Sequence, residues 1–312
     1  MNRESRWRLE RARAIAAVFA EEEEVRAIVL SGAVAEGRAD RYSETHLRVI
    51  WSALPSPEQQ ERTLAKIGGV SLYGVESFEE GTPDEGYAPF LLTDLLSQCP
   101  GGPGWWQSNV PGERHRAYPV ELENDSLQSV DRCLDAVLIQ HTLNRAAIEL
   151  LGELQRGTTL YGAELVDDWR RRLLSYPNAL KANVVEDAVA QLWQHLRYAR
   201  VLAERQDHVE YVRCGTVIAH CMLRMLFALN GQFGWQETPK RCAERLAEFE
   251  VKPDAFYERL CRALAPPLRE GVETLNALAR ESVALAVGHV PDLDTRLVRY
   301  MHDEPRVWNE PV

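Results

Sequence analysis

The chain has 312 residues, of which 45% are hydrophobic and 27% charged, and its formal net charge is −11 at pH 7. This length allows one large domain or two ordinary ones, each with its own core. Non-specific binding of nucleic acid needs clustered Lys and Arg, so the acidic balance argues against nucleic acid as a partner.

Six cysteines are scattered along the chain without a Cys-x-x-Cys pair. This pattern argues against a disulfide framework or a structural zinc site, and it indicates free thiols in a reducing compartment. The N-terminal region has basic residues but lacks the continuous apolar segment of a signal peptide. No stretch approaches the roughly 20 apolar residues of a membrane span. The sequence therefore predicts a cytoplasmic protein that does not associate with a membrane.

The first part of the chain mixes the periodicities of helices and strands. Helices are indicated by an apolar stripe with a period near 3.6, and strands by short runs of β-branched and aromatic residues. A long segment rich in Gly and Pro is expected to run over the surface as an irregular excursion. The predicted elements are a helix at 4–20, strands at 25–30 and 45–51, a helix at 58–67, a strand at 69–78, the excursion at 81–116 and a strand at 118–122.

From residue 126 onward the pattern is almost entirely helical. The predicted helices cover 126–155, 163–174, 178–206, 208–230, 238–248 and 253–288. We therefore predict an α+β protein with a small mixed-sheet domain at 1–125 and a helical bundle domain with a C-terminal tail at 126–312. A homodimer is compatible with this organisation.

One segment of the α/β part combines turn residues with polar strand residues. The first strand stops at Ser31-Gly32, and ten residues separate Ala33 from Glu44. Because side chains alternate along a strand, Glu44 and His46 are expected on the same face of the second strand.

This strand–Gly–loop–strand pattern resembles that of the nucleotidyltransferase superfamily, most of all the bacterial branch that modifies aminoglycosides and lincosamides. The family pattern is an apolar strand, Gly-Ser, nine to thirteen residues, and then Asp-apolar-Asp/Glu-apolar. The chain keeps Gly32, Ala35-Glu36-Gly37, Asp40, Ser43 and Leu47 in register with it. The resemblance implies a nucleotidyltransferase-like fold for the small mixed-sheet domain.

The resemblance also implies a chemistry. In such a site two carboxylates on one strand and a third from a neighbouring strand hold a divalent metal, Mg or Mn. The metal binds the triphosphate while an acceptor hydroxyl attacks the α-phosphorus. Glu44 and His46 stand at the positions of the first two carboxylates. Glu121 is the candidate for the third, with Glu123 as an open alternative on the same face.

By the same resemblance, the nucleoside triphosphate contacts the turn and the loop that follows it, and a lysine of the helical part reaches its β- or γ-phosphate. The residues so assigned are Ser31, Gly32, Ala33, Ser43 and Lys240. The remaining partner is a small-molecule acceptor.

Three positions depart from the family pattern. Ala33 replaces the Ser, Glu44 replaces the first Asp, and His46 replaces the second carboxylate. With Arg48 beyond it, a face that carries Asp-Asp in the family carries Glu-His-Arg here, which makes it less negative. Magnesium prefers oxygen ligands, whereas manganese and zinc also accept imidazole.

Two hypotheses follow from these departures. The protein either transfers a nucleoside monophosphate from a nucleoside triphosphate to a hydroxyl of a small molecule, or it is a catalytically degenerate relative that binds a nucleotide or a protein partner. The three substitutions favour the second hypothesis, and the retained glycines do not decide between them.

Overall fold

The computed structural model describes residues 1–67, 69–71, 76–78, 90–98, 106–107, 114–115, 117–234, 241–290 and 293. The chain forms two compact units, one made of 1–140 and 144–174 and the other of 141–143 and 175–312. The first contains a mixed β-sheet with helices, and the described part of the second is helical. The predicted α+β class, with a mixed sheet first and helices after it, is confirmed.

Four helices in the first unit begin where a side-chain oxygen accepts a backbone N–H of the first turn. Asn2, Ser56, Ser126 and Asn144 do so for the helices that begin at residues 3, 57, 127 and 145, respectively. The elements of this unit are α1 (Arg3–Phe19), β1 (Val25–Ser31), α2 (Gly32–Ala35), β2 (Thr45–Trp51), α3 (Pro57–Lys66), β3 (Gly69–Ser71), β4 (Glu76–Phe78), β5 (Phe90–Gln98), β6 (Trp106–Gln107), β7 (Arg114–His115), β8 (Ala117–Ser126), α4 (Leu127–Leu138), α5 (Arg145–Arg156), β9 (Thr158–Tyr161) and α6 (Ala163–Leu173).

The main sheet has the strand order β3-β5-β8-β2-β1-β9, with β4 also paired to β5. β2 and β8 run parallel, and the other pairs are antiparallel. The β2–β8 register sets His46 opposite Glu121 and Arg48 opposite Glu123. β2 is therefore an interior strand, with a carboxylate of β8 beside His46 and another beside Arg48.

The two faces of this sheet differ in character. On the first face, Leu30, Leu47 and Leu122 belong to one buried cluster with residues of α1. Alternation puts Val29, His46, Arg48 and Ile50 on the second face. Val29 and Ile50 are fully buried, because α5 and α6 pack against β1 and α4 packs against β8. The second face is thus apolar in one part and charged in another.

The division between the units lies after residue 174 rather than at the predicted residue 125. The helices α4, α5 and α6 follow the last strand of the predicted domain, yet they belong to the first unit. A sheet with apolar residues on both faces needs a layer on each side. These three helices form that second layer.

Other predicted elements differ in their bounds. The helix predicted at 126–155 is broken between α4 and α5, where His141 has a positive φ of 56°. The segment 81–116, predicted as an irregular excursion, contains the nine-residue strand β5. Its run of Leu residues is flanked by Gly and Pro on both sides, which hid the strand in the sequence pattern. The described parts of the predicted strand 69–78 are β3 and β4, and both pair with β5.

The second unit contains α7 (Asn178–Glu204), α8 (His208–Leu229), α9 (Cys242–Ala247), α10 (Phe256–Ala263) and α11 (Leu268–His289). The helix predicted at 253–288 is interrupted at Pro266-Pro267, because proline cannot continue a helix. Among the described helices, α8 is long and apolar enough to cross a membrane, although no such stretch was expected from the sequence. Of its apolar window, 72% is buried inside the structure, so packing accounts for this composition.

Candidate functional site

The turn after β1 lies against the imidazole of His46. Ser31, the last residue of β1, is buried and pairs with His46 across the β1–β2 ladder. Gly32 has φ +69°, a conformation that L side chains rarely adopt, and a Cβ there would lie 3.4 Å from His46 Cδ2. The backbone conformation therefore favours glycine at this position, and a Cβ there would make an ordinary van der Waals contact with the His46 ring.

Helix α1 holds the loop that leads into Glu44. Arg8, which is 3% exposed, donates from Nε to the carbonyl oxygen of Ser43 at 3.0 Å. Asn2 donates from Nδ2 to the carbonyl oxygen of Ala39 at 2.8 Å, and the Ala39 amide donates to Ser5 Oγ at 2.9 Å. These long-range hydrogen bonds fix the residue that immediately precedes Glu44.

Three side chains converge at the start of β2. His46 Nδ1 lies 2.5 Å from Glu121 Oε2, and His46 Nε2 lies 3.9 Å from Glu44 Oε2. One candidate ligand atom from each of the three residues lies within 4.8 Å of the other two. The side chains of Glu44, His46 and Glu121 are 48%, 33% and 24% exposed, so a small solute can reach the cluster.

The donor set of this cluster fits a divalent transition metal better than magnesium. One imidazole nitrogen and two carboxylates are ligands that Mn²⁺ and Zn²⁺ accept, whereas Mg²⁺ favours oxygen alone. Because Nδ1 of His46 is bonded to Glu121, Nε2 is the ring nitrogen that faces Glu44. A carboxylate on the other ring nitrogen commonly orients a metal-binding histidine. Glu44 and His46 would therefore hold the ion, and Glu121 would either join them or orient the ring.

Opposing influences act on the pKa of His46. Burial is the largest and by itself lowers the pKa. The opposite effect comes from Glu121, through its hydrogen bond and its charge, and from the charges of Glu153 and Glu44. Together these outweigh burial and raise the pKa of His46 above its ordinary value. Carboxylates thus surround the imidazole on several sides and favour a cation at its position.

A second cluster, which the sequence analysis missed, surrounds Arg48 on the same face. Its Nε donates to Glu153 Oε2 at 2.9 Å, Nη1 donates to Asp125 and Nη2 donates to Glu123. Arg48 is 8% exposed and Asp125 4%. Burial would lower the pKa of Arg48, but the charges and hydrogen bonds of Glu153 and Asp125 raise it above its ordinary value. The guanidinium stays charged because each of its three nitrogens has a carboxylate partner.

Part of this second cluster had a signal in the sequence. Glu123 and Asp125 follow Glu121 at intervals of two on β8, so alternation alone places all three on one face. Glu153 gave no such signal, because it lies on a helix far along the chain. The structure separates Glu121 from Glu123 by their partners: Glu121 bonds His46, and Glu123 bonds Arg48.

The charge of the second face of the sheet also differs from the charge expected from the sequence. The Glu-His-Arg pattern of β2 suggested a less negative site. The structure adds carboxylates from β8 and α5, so that five carboxylates meet one arginine and one histidine. They are Glu44, Glu121, Glu123, Asp125 and Glu153. The face remains acidic even with His46 protonated, as a cation site requires.

The predicted site residues are brought together only in part. Ser31, Gly32 and the cluster of Glu44, His46 and Glu121 are adjacent. Ala33 instead packs, partly buried, against the core of the first face. Ser43 is engaged within its own turn, where its Oγ accepts the Asp40 amide at 2.9 Å and donates to Asp40 Oδ1 at 3.1 Å. Lys240 lies outside the described residues.

Comparison with known proteins gives partial likenesses. A family model described as a domain of unknown function (DUF4037) matches residues 145–236, which run from α5 through α8 and leave out Glu44, His46 and Glu121. No curated protein matches the chain.

Two solved structures resemble parts of the fold. One is described as a nucleotidyltransferase-like protein from Exiguobacterium sibiricum 255-15, with 14% identity and a TM-score of 0.39 over 96% of this chain and 82% of that one. The other is the Cid1 poly(U) polymerase, with 12% identity and a TM-score of 0.23 over 48% of this chain and 39% of that one. At these scores neither structure assigns an activity to the chain.

Proposed function

We propose that the protein is a metal-dependent nucleotidyltransferase, which transfers a nucleoside monophosphate from a nucleoside triphosphate to a hydroxyl of a small molecule. The observation that carries the proposal is the convergence of Glu44, His46 and Glu121 beside the Ser31–Gly32 turn. These side chains can bind a cation, and the glycine lets the backbone of the neighbouring turn approach phosphate oxygens. The arrangement therefore suits a polyphosphate and its counterion.

The roles of the chain's own residues follow from this arrangement. Glu44 and His46 hold the divalent ion, which when bound neutralises charge on the triphosphate. Glu121 fixes the orientation of the imidazole through the bond to Nδ1. Gly32 leaves the backbone of the turn open to the approach of phosphate oxygens. The five carboxylates of the face raise the affinity for the cation.

A second function, binding without catalysis, is favoured by one specific observation. His46 Nδ1 and Glu121 Oε2 already lie 2.5 Å apart, so these two groups have a polar partner in each other without a bound ion. Ala33 also lacks the hydroxyl that the family pattern places in the turn. In this alternative the protein is a degenerate nucleotidyltransferase relative that binds a nucleotide or a protein partner.

Metal binding is the first test. Titration of Mn²⁺, followed by electron paramagnetic resonance, is expected to show a bound ion in the wild-type protein. Its affinity should fall at least about tenfold in Glu44→Gln and in His46→Gln, since each removes a ligand. Glu10→Gln is the matched control, because Glu10 is an exposed carboxylate of α1. If neither site variant weakens binding relative to that control, the metal-dependent proposal is wrong.

Group transfer is the second test. With Mn²⁺ present, label from α-³²P nucleoside triphosphates should appear on acceptors from a panel of aminoglycosides, lincosamides and sugars, and it should disappear in Glu44→Gln. Metal and nucleotide binding without label on any acceptor would support the degenerate alternative.

We further propose that the protein acts in the cytoplasm on small molecules and that it assembles as a homodimer. The first rests on the scattered cysteines and the acidic composition. Fractionation of the native host cell tests the location, and light scattering of the purified chain tests the assembly.

A further inference from the structure

Arg48 is surrounded by oxygen donors from two different elements. Glu123 and Asp125 come from β8, and Glu153 comes from α5. Each accepts from a different nitrogen of the same guanidinium. The three carboxylates therefore converge on one buried point of positive charge.

Such an arrangement needs a cation at its centre. Three carboxylates gathered around one position repel one another, and a positive charge at the centre relieves that repulsion. Several carboxylate oxygens around one point are also the ligand type that hard divalent cations take in proteins. In this chain the position is filled by a side chain of the protein itself.

The position adjoins the candidate metal centre. His46 and Arg48 lie on the same face of β2, about 7 Å apart along the strand at about 3.3 Å per residue. The charge of Glu153, a partner of Arg48, also acts on the pKa of His46. One continuous acidic face thus has two adjacent places for a cation.

We propose that Arg48 is a built-in cation that fills the second of these places, so that the protein binds one exchangeable divalent ion on this face and not two. The count of one rests on the proposed function, which supplies the ion at Glu44 and His46. The role of Arg48 stands independently of it.

The test compares the number of Mn²⁺ ions bound per chain, by equilibrium dialysis, in the wild type and in Arg48→Ser. The variant should bind one more ion than the wild type, and millimolar Mn²⁺ should raise its Tm more than that of the wild type. Arg172→Ser is the matched control. Arg172 also pairs with two carboxylates, but those of Asp131 and Asp135 are 59% and 51% exposed, and loss of the arginine should add no ion. Arg48→Lys keeps a cation in place and should bind as many ions as the wild type.

Each result decides the inference. Equal ion numbers in wild type and Arg48→Ser, or two ions in the wild type, would overturn it. An Arg48→Ser protein that stays unfolded in millimolar Mn²⁺ would also overturn it, because an ion held by the three carboxylates restores the lost charge.

The failure of the proposed function gives a different pattern. If the wild type binds no ion and Arg48→Ser binds one, the proposed metal-dependent transferase function is wrong. The inference that Arg48 takes the place of a second cation would still be supported.

Discussion

Arg48 and Glu153 are 105 residues apart in the chain and bonded in the fold, with Nε donating to Oε2 at 2.9 Å. This bond joins the second face of the sheet to α5. The close packing beside it depends on Gly157, where a Cβ would lie 2.5 Å from Val29 Cγ1. The end of α5 therefore rests directly on β1, and this contact brings Glu153 within reach of the strand that carries His46.

Replacement of Glu153 tests this link. Glu153→Gln removes one of the three charges that compensate the buried Arg48, and we expect a loss of about 1–3 kcal/mol in the free energy of unfolding, since a buried cation then keeps fewer partners. Urea denaturation measures the loss. Glu149→Gln on the same helix is the control, because its partner Arg145 is 52% exposed. That control should change stability by less than about 1 kcal/mol. Equal losses in both variants would contradict the role of Glu153.

Gly32→Ala tests the turn. A Cβ at φ +69° is strained and contacts the His46 ring, so we expect a loss of about 1–2 kcal/mol in unfolding free energy together with weaker Mn²⁺ binding. Gly288→Ala is the matched control, since nothing lies within 4 Å of the new Cβ and the residue is helical. Alanine there should leave stability unchanged or raise it by up to about 1 kcal/mol. A Gly32→Ala protein as stable as the wild type would show that the turn tolerates a side chain.

The pH dependence of stability reports on His46. Its pKa is raised in the folded protein, so the folded state binds the proton more tightly than the unfolded chain does. The resulting stabilisation is fully present below the unfolded pKa of about 6.5 and is lost as the pH rises through the folded pKa. In chelator, the stability advantage of the wild type over His46→Gln should therefore shrink as the pH rises above about 6.5. An advantage that grows with pH would reverse the assigned direction of the shift.

Cys133 and Cys261 are expected to differ in the reactivity of their thiols. Burial, with the charge of Asp125, raises the pKa of Cys133 to about 12, although Arg48 acts in the opposite direction. Cys261 is exposed. Iodoacetamide at pH 8 should modify Cys261 in the native protein and Cys133 only after denaturation, because the thiolate is the reactive form. Peptide mass spectrometry follows both sites. Native modification of Cys133 at the rate of Cys261 would contradict its burial.

The local features of the site could be predicted from the sequence. The β-branched runs gave β1 and β2, and alternation then placed Glu44 and His46 on one face. Glu121 was a candidate for the third carboxylate from the family resemblance, but the period of two placed Glu121 and Glu123 on the same face and did not choose between them. These predictions held because they depend only on neighbouring residues and on the geometry of a strand.

The long-range features could not be predicted. Glu153 meets Arg48 only because α5 covers the sheet, and no local pattern encodes that packing. The strand β5 was missed because Gly and Pro on both sides suggested a loop, whereas pairing with β8 and with β3 and β4 determines its structure. The boundary at 125 was placed by a change of periodicity. The structure places it where the second layer of the sheet ends.

The parallel pairing of β2 with β8 has a consequence for how the chain avoids misfolding. A slip of one residue between the strands would separate His46 from Glu121 and Arg48 from Glu123. If β2 were turned over, the side chains of His46 and Arg48 would point into the apolar layer between the sheet and α1. An alignment in which β2 is turned over therefore leaves charge in an apolar layer. The matching of charges across the β2–β8 pair therefore favours the native face of β2 over alignments that turn the strand over.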